Sequence, residues 1–208
     1  MTRLITPVVG GAARPRPERD AGVTLAELVV TLGILSVLVA FAVPTAGATV
    51  DAGRVASAAN AMASRFRLAR VEAVSRAHSV ALVFDRDQDR WTFRVCEDGN
   101  GNGIRRAEIA SGTDPCPEGP VDVAAMFPGA RVDVDAGLRG PSGEPGSPDP
   151  VRFGASNIAS FSSLGGCTAG TLFLRSPLGA QYAVRIAGGT GRTRVIRYDP
   201  ARRAWIDV

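Results

Sequence analysis

The stretch V-T-L-A-E-L-V-V-T-L-G-I-L-S-V-L-V-A-F-A-V fills residues 23–43, between Gly22 and Pro44, and it decides the fold of the chain. At a helical rise of about 1.5 Å per residue it covers roughly 30 Å, the thickness of the hydrocarbon core of a bilayer. Its one charged residue is Glu27. Because a carboxylate in such a segment costs on the order of a few kcal/mol, it usually has a polar partner. The stretch therefore predicts a transmembrane helix whose single acid pairs with another chain.

The flanks of this helix predict its orientation. Residues 1–22 form a short basic leader, and the first charges after the helix are Asp51 and Arg54. The charged residues of the leader are Arg3, Arg14, Arg16, Glu18, Arg19 and Asp20. Basic segments stay in the cytoplasm, so we expect the remainder of the chain to be exported.

Two other interpretations of the same stretch remain open. It could be a secretory signal peptide, because residues 40–42 and 46–48 both resemble small-residue cleavage sites, and the mature chain would then be a secreted enzyme. It could also be a plain uncleaved anchor. Against a signal peptide, the apolar run exceeds the roughly 7 to 15 residues of such signals, and it contains an acid.

Beyond Pro44 the apolar residues recur at helical spacing. They are Val55, Ala59, Met62, Phe66, Ala69 and Ala73. This pattern predicts that one helix spans residues 23–77 and that its second half packs an apolar stripe on a sheet, with its arginine-rich face in solvent.

From residue 78 onward the period changes to two, and glycine, proline and aspartate clusters separate short apolar runs. The predicted strands are 80–84, 91–96, 131–135, 171–175, 181–187, 193–198 and 204–208. A helix followed by consecutive antiparallel strands predicts an α+β fold, with residues 78–208 as a single antiparallel β domain. Residues 137–150 are rich in proline, glycine and serine, which predicts a mobile surface loop.

The composition excludes several kinds of catalytic site. All 24 basic residues are arginine, and His78 is the only histidine. A chain without lysine has no P-loop lysine and no Schiff base, and one histidine gives little from which to build a triad or a histidine metal site. The formal charge of +4 is ordinary for a soluble domain. We therefore expect no enzymatic activity.

Three cysteines, Cys96, Cys116 and Cys167, would meet an oxidising compartment after export. Cys96 and Cys116 could enclose a loop, and a bridge of that length stabilises by on the order of 3 kcal/mol. The sequence leaves the pairing open.

Residues 98–103, D-G-N-G-N-G, have the oxygen donors and the glycine of a calcium loop. Asp98, Asn100 and Asn102 stand at the first, third and fifth positions, so Ca²⁺ is a candidate ligand. The acid expected at the twelfth position is displaced, because Ile109 stands there. The alternative is a glycine–asparagine turn that needs positive φ angles.

Residues 189–197, G-T-G-R-T-R-V-I-R, cover most of a predicted hairpin turn at 188–192 and the start of the strand that follows it. We expect Arg192, Arg194 and, less regularly, Arg197 to project from one face of a strand as a small basic patch suited to phosphate contacts. The alternative is a hairpin whose arginines are solvated.

The leader that ends in Gly22 and the apolar helix with Glu27 as its fifth residue resemble the type IV prepilin signal. The resemblance implies that a prepilin peptidase cuts after Gly22 and methylates the amino group of Val23. It also implies that Glu27 aligns each subunit on its neighbour and that Pro44 kinks the helix. Val23 stands where the family usually has phenylalanine. A buried carboxylate paired with the new amine of a neighbouring helix costs far less than a lone one.

Three further features, the arginine-rich residues 70–76, the loop 98–103 and the Gly-Arg-Thr-Arg of 191–194, resemble the GspH/FimT group of minor pseudopilins. The resemblance implies a pilin-like fold in the inner membrane, with a single span and a periplasmic C-terminal domain. It implies a structural subunit of a type II secretion pseudopilus or type IV pilus that contacts other pilin subunits and has no cofactor. The alternative is a DNA-binding, FimT-like minor pilin for natural transformation, because Gly191, Arg192 and Arg194 match its Gly-Arg-x-Arg motif.

Overall fold

The computed structural model of the chain describes residues 22–208, apart from the side chains of residues 42–46. Most of the predicted leader therefore lies outside the described residues, and so does the side chain of Pro44. Two compact units divide between Val43 and Pro44. The elements are α1 (Leu25–Ser75), β1 (Val80–Asp87), β2 (Arg90–Glu97), α2 (Arg106–Ser111), β3 (Glu118–Asp122), α3 (Val123–Met126), β4 (Val151–Arg152), β5 (Ile158–Phe161), β6 (Gly170–Arg175), β7 (Gln181–Ile186), β8 (Thr193–Asp199) and β9 (Ala204–Asp207).

The first part of α1 is apolar and exposed. Its large apolar side chains between Leu25 and Phe41 are 52% to 83% exposed. No helix in the described part of the chain is long and apolar enough to cross a membrane, so the transmembrane prediction for residues 23–43 is not confirmed.

The second part of α1 carries the core of the larger unit. The predicted apolar stripe is fully buried, with Phe66 at its centre. The Phe66 ring lies 6.2 Å from that of Phe84, 5.5 Å from Phe153 and 6.4 Å from Phe161, measured between centroids. Aromatic rings at such distances add to the free energy gained by burying apolar area. The helix therefore packs where the periodicity predicts.

The strands form two antiparallel sheets, and the sequence predicted one. Sheet A has the order β3-β2-β1-β5, and sheet B has the order β4-β6-β7-β8-β9. Alternate residues of both sheets join α1 in one apolar cluster, for example Leu82 of sheet A and Val184 of sheet B. The fold is therefore α+β, with helix α1 packed on antiparallel sheets.

The outer face of each sheet has its own small cluster. Ala81, Val83 and Ile158 of sheet A are covered by Ile104 and Ile109, which lie in and beside α2. On sheet B the cluster comprises Val134, Phe173, Ala183, Ile196 and Trp205. Neither sheet is a simple one-sided layer, because both faces bury apolar side chains.

Two segments differ from the sequence prediction. Residues 131–135 do not form a strand, because only Arg131 pairs, in an isolated bridge with Arg175. Residues 137–150 are irregular, as predicted, but they are fastened to sheet B. The Trp205 indole Nε1–H donates to the Arg139 carbonyl at 2.8 Å, and the Arg185 guanidinium donates to Ser142 Oγ.

Candidate functional site

The residues around the predicted leader cut begin the described chain. Gly22 and Val23 precede the first residue of α1, and the side chain of Val23 is 71% exposed. The backbone N–H of Glu27 donates to Thr24 Oγ1 at 3.2 Å. Thr24 and Glu27 have the spacing of a capping box, in which the side chain at the third helical position supports the N-cap residue. The observed contact is the cap that Thr24 places on the backbone of Glu27, and it does not involve the Glu27 carboxylate.

The loop 98–103 is built around one buried carboxylate. Asp98 Oδ1 accepts from the N–H groups of Asn100 at 3.2 Å and Gly101 at 2.7 Å, and Oδ2 accepts from that of Gly103 at 2.7 Å. Burial alone would raise the pKa of Asp98. The hydrogen bonds from Gly103, Gly101, Asn100 and Asn102 together outweigh burial and hold the pKa below its ordinary value.

These contacts test whether the loop fits a calcium ion. Both oxygens of Asp98 already accept backbone N–H groups, and the Asn102 amide donates to Glu108 Oε1 at 2.8 Å. A cation at Asp98 would compete with these backbone N–H groups, whereas the Asn102 contact uses Nδ2 and does not involve the amide oxygen. Gly101 and Gly103 have φ angles of +79° and +88°. These positive angles are what the alternative interpretation, a glycine-dependent turn, requires. Residues 22–208 contain no cluster of three acidic, histidine or cysteine side chains that could hold a metal ion. The hydrogen bonds favour the glycine-dependent turn, and Ca²⁺ binding stays a prediction.

A disulfide closes the same region. Cys96 at the end of β2 is bonded to Cys116, and Cys167 is a free, half-buried thiol. The Cys96 side chain packs in the cluster on the outer face of sheet A. The bridge therefore fixes the segment that carries α2 and the Asp98 loop against that sheet.

The turn between β7 and β8 rests on helix α1. Gly191 is buried and has a φ angle of +64°. An added β-carbon there would lie 2.7 Å from Cζ of Arg70, so the Arg70 guanidinium lies directly against this glycine. One helical turn earlier, the Arg67 guanidinium donates to the Thr193 carbonyl at 3.4 Å. Two arginines of α1 thus support the hairpin that carries the predicted basic patch.

The three arginines of that patch do not share one face. Arg192 is exposed in the turn. Arg194 lies on the outer face of sheet B, because it alternates with buried Val195 of the helix-facing cluster. Arg197 has the parity of Val195 and lies on the opposite face, pairing across strands with Tyr182. Strand alternation therefore separates Arg194 from Arg197.

A groove of about 890 Å³ crosses the outer face of sheet B beside this patch. Its polar lining includes Glu144, Arg152, Arg185, Arg192, Arg194 and Asp207. Four cationic side chains therefore face two carboxylates. Arg194 Nη1 lies 3.4 Å from Asp207 Oδ2, in a largely exposed ion pair. Such pairs add little stability, so the charge of the groove remains positive.

Sequence analysis did not single out Arg152 or Arg185. Arg185 stands between Val184 and Ile186, which both join the helix-facing cluster, so strand alternation places it on the outer face. Its proximity to Arg194 depends on strand register, which the sequence alone did not fix. Arg152 lies on the two-residue strand β4, too short to give a pattern.

Comparison with known protein families assigns the chain to one of them. A profile of the family described as type II transport protein GspH matches residues 58–191, which is more than half of the chain. The chain belongs to the GspH family. No curated protein and no solved structure matches significantly.

The GspH match covers the core of the larger unit but not every candidate residue. It begins within α1 and ends at Gly191, so it includes the disulfide, the Asp98 loop, Arg152 and Arg185. Glu27 precedes the match, whereas Arg192 and Arg194 follow it. The GspH assignment makes this chain a minor pseudopilin related to type II secretion, and members of this kind are structural components.

Proposed function

We propose that this chain is a subunit that assembles into a type II secretion pseudopilus or type IV pilus through the apolar first part of α1. The exposure of that part carries the proposal. Its large apolar side chains are at least 52% exposed as far as Phe41, although the second part of the same helix is fully buried on its apolar stripe. A long exposed apolar surface marks an interaction site, and identical helices of neighbouring subunits would cover it.

Glu27 is the one acid of this apolar segment. In a bundle of such helices its carboxylate would need a cation, and the α-amino group of Val23 in the neighbouring subunit would supply one after cleavage behind Gly22. Breaking a buried charge pair is strongly destabilising, so subunits would assemble in register. We place this segment in the inner membrane before assembly, with the larger unit in the periplasm. A prepilin peptidase would make the cut behind Gly22, and Pro44 would kink the helix.

The Thr24 cap allows a test that separates the charge of Glu27 from the start of the helix. Glutamine serves as well as glutamate in a capping box, but it cannot pair with an ammonium group. We expect Glu27→Gln and Glu27→Ala to be excluded from filaments alike, whereas Thr24→Ala, which removes only the cap, should enter them. Filament incorporation would be measured by shearing and immunoblotting. Normal incorporation of Glu27→Gln would show that assembly does not need the charge of Glu27, and it would overturn the pairing model. Mass spectrometry of the mature protein should find N-methylated Val23.

A second candidate function is binding of DNA during uptake. The observation that favours it is Arg192, which is exposed at the tip of the hairpin and whose guanidinium makes no ion pair or hydrogen bond with the described residues. An exposed guanidinium beside Arg194 suits phosphate contacts. Replacement of Arg192 and Arg194 by alanine should then weaken DNA binding and flatten its salt dependence. Unchanged binding would remove this candidate.

A further inference from the structure

Three arginines lie in one row across the outer face of sheet B. The strand registers pair Arg152 with Thr171, Thr171 with Arg185, and Arg185 with Arg194. Neighbouring strands are about 4.8 Å apart, so the row crosses four strands within about 15 Å. We call Arg152, Arg185 and Arg194 the arginine row. All three line the groove described above.

The arginine row works against the stability of the sheet. Arg185 and Arg194 are directly opposite each other, and like charges in that position are destabilising. Two like charges placed opposite each other in a sheet, and not fully compensated, are more typical of a functional site than of a structural one. The nearby acids compensate in part only, because Asp207 pairs with Arg194 through exposed atoms, and Glu144 is the other carboxylate in the lining.

The guanidinium of Arg152 is held in place. Its Nε donates to the Asp149 carbonyl at 2.9 Å and its Nη2 to the Ser147 carbonyl at 3.0 Å. Its Cζ lies 4.5 Å from the centre of the Phe173 ring. These partners are carbonyls and a ring, so they orient the charge without neutralising it. Arg185 is oriented by Ser142 Oγ, and the Glu144 carboxylate offsets part of its charge.

We propose that the arginine row binds the phosphodiester backbone of a nucleic acid strand laid across sheet B. Guanidinium groups offer donors only, and phosphates need donors only, so the two surfaces match. An acidic peptide fits less well. Peptides usually add to a sheet edge, whereas this row crosses the middle strands, and the main-chain N–H groups of a peptide there would lose water without gaining acceptors. The proposal rests on the second candidate function, DNA binding, and extends the binding surface from the hairpin tip to the groove.

The test measures binding of a fluorescent single-stranded thymidine oligonucleotide, and of a duplex of equal length, to the full chain purified in detergent. We expect Arg152→Ala/Arg185→Ala to weaken binding at least tenfold. The slope of log K against log salt should become shallower by about 1.4 for the single strand, since two phosphate contacts are lost. The matched control is Arg90→Ala/Arg105→Ala, which removes the same charge from exposed positions on β2 and before α2 and should change binding less than twofold.

Two further variants guard against misfolding. Arg185→Ala alone leaves the Arg152 contacts intact, and Arg185→Lys keeps the charge but loses bidentate contact, so it should bind between wild type and Arg185→Ala. Thermal unfolding of every variant shows whether it is folded. If Arg192→Ala/Arg194→Ala weakens binding and Arg152→Ala/Arg185→Ala does not, the row is overturned but the DNA-binding candidate stands. Absence of binding by the wild type overturns both. Equal competition by polyglutamate at matched charge also overturns the row as a phosphodiester site.

Discussion

The guanidinium of Arg70, on helix α1, lies against Gly191 of the β7–β8 turn and fills the space that a side chain at Gly191 would need. A β-carbon on Gly191 would lie 2.7 Å from Cζ and 2.8 Å from Nη1 of Arg70. The glycine also has a φ angle of +64°, in the left-handed region that favours glycine. Two separate costs therefore oppose any side chain at this position, and they can be measured apart.

Gly191→Ala should lower the free energy of unfolding by about 1–2 kcal/mol, which is the cost of the left-handed conformation for an L-residue. The Arg70 atoms in contact are the far end of a flexible side chain, which can move. We therefore expect nearly the same loss in an Arg70→Ala background, measured by urea denaturation. Gly189→Ala is the control, because nothing lies within 4 Å of its added β-carbon, and it should change stability by less than about 0.5 kcal/mol. A loss that disappears in the Arg70→Ala background would assign the cost to the clash.

The Cys96–Cys116 bridge should contribute on the order of 3 kcal/mol, because it closes a loop of 20 residues in the unfolded chain. Cys96→Ser/Cys116→Ser should lose that amount in urea denaturation under oxidising conditions. Adding a reductant to the wild type should produce the same loss and leave the double variant unchanged. Cys167→Ser, which removes the free thiol, should have little effect. A reductant effect that persists in the double variant would contradict this account.

The helix and most strands could be predicted because their periodicity is strong. All six stripe residues of α1 are buried, from Val55 to Ala73, and β1, β2 and β6 to β9 lie within a few residues of the predicted strands. The sequence analysis missed β3, β4 and β5, and β4 has only two residues. β3 contains Pro120, and β5 has no regular alternation, since Ile158 and Ala159 are both buried. Two of the three strands complete sheet A, so the division into two sheets could not be seen.

The candidate site was predictable only in its local parts. Gly191 and Arg192 lie in the β7–β8 turn and Arg194 lies at the start of β8, as the sequence predicted. Arg152 and Arg185 join them through pairing of β4, β6, β7 and β8, a relation between distant segments that depends on register. The prediction that Arg197 shares a face with Arg194 was wrong. Arg197 stands three residues after Arg194, and residues at an odd spacing on a strand lie on opposite faces.

Asp98 should make stability depend on pH in the acid range. Its pKa is lower in the folded chain than the ordinary 3.8, so its contribution is complete above that value and is lost as pH falls through the folded pKa. Asp98→Asn should lose roughly 1.5 kcal/mol at pH 7, because hydrogen bonds to a charged acceptor are replaced by weaker ones. The difference from wild type should shrink below pH 3.8, measured by urea denaturation at several pH values. Asp89→Asn, at a fully exposed side chain, is the control.

The wild type and Asp98→Asn also test the calcium interpretation. Since both Asp98 oxygens already accept backbone N–H groups, adding Ca²⁺ should not raise the midpoint of thermal unfolding of the wild type. A ligand that bound only the folded chain would raise it in proportion to its concentration. A rise in the wild type that is absent in Asp98→Asn would show that the ion displaces these hydrogen bonds and would restore the site.

Trp205 should control how firmly residues 137–150 lie on sheet B. Its indole donates to the Arg139 carbonyl, and its ring lies 5.4 Å from that of Phe173. Trp205→Phe keeps an aromatic ring but removes the donor, which should cost about 1 kcal/mol. Because local opening exposes the backbone to proteases, trypsin should cleave after Arg139 several-fold faster in this variant. Trp91→Phe, the same change at a half-buried position on β2, should leave that cleavage rate unchanged. Equal rates in Trp205→Phe and wild type would mean that other contacts, such as Arg185 to Ser142, hold the loop.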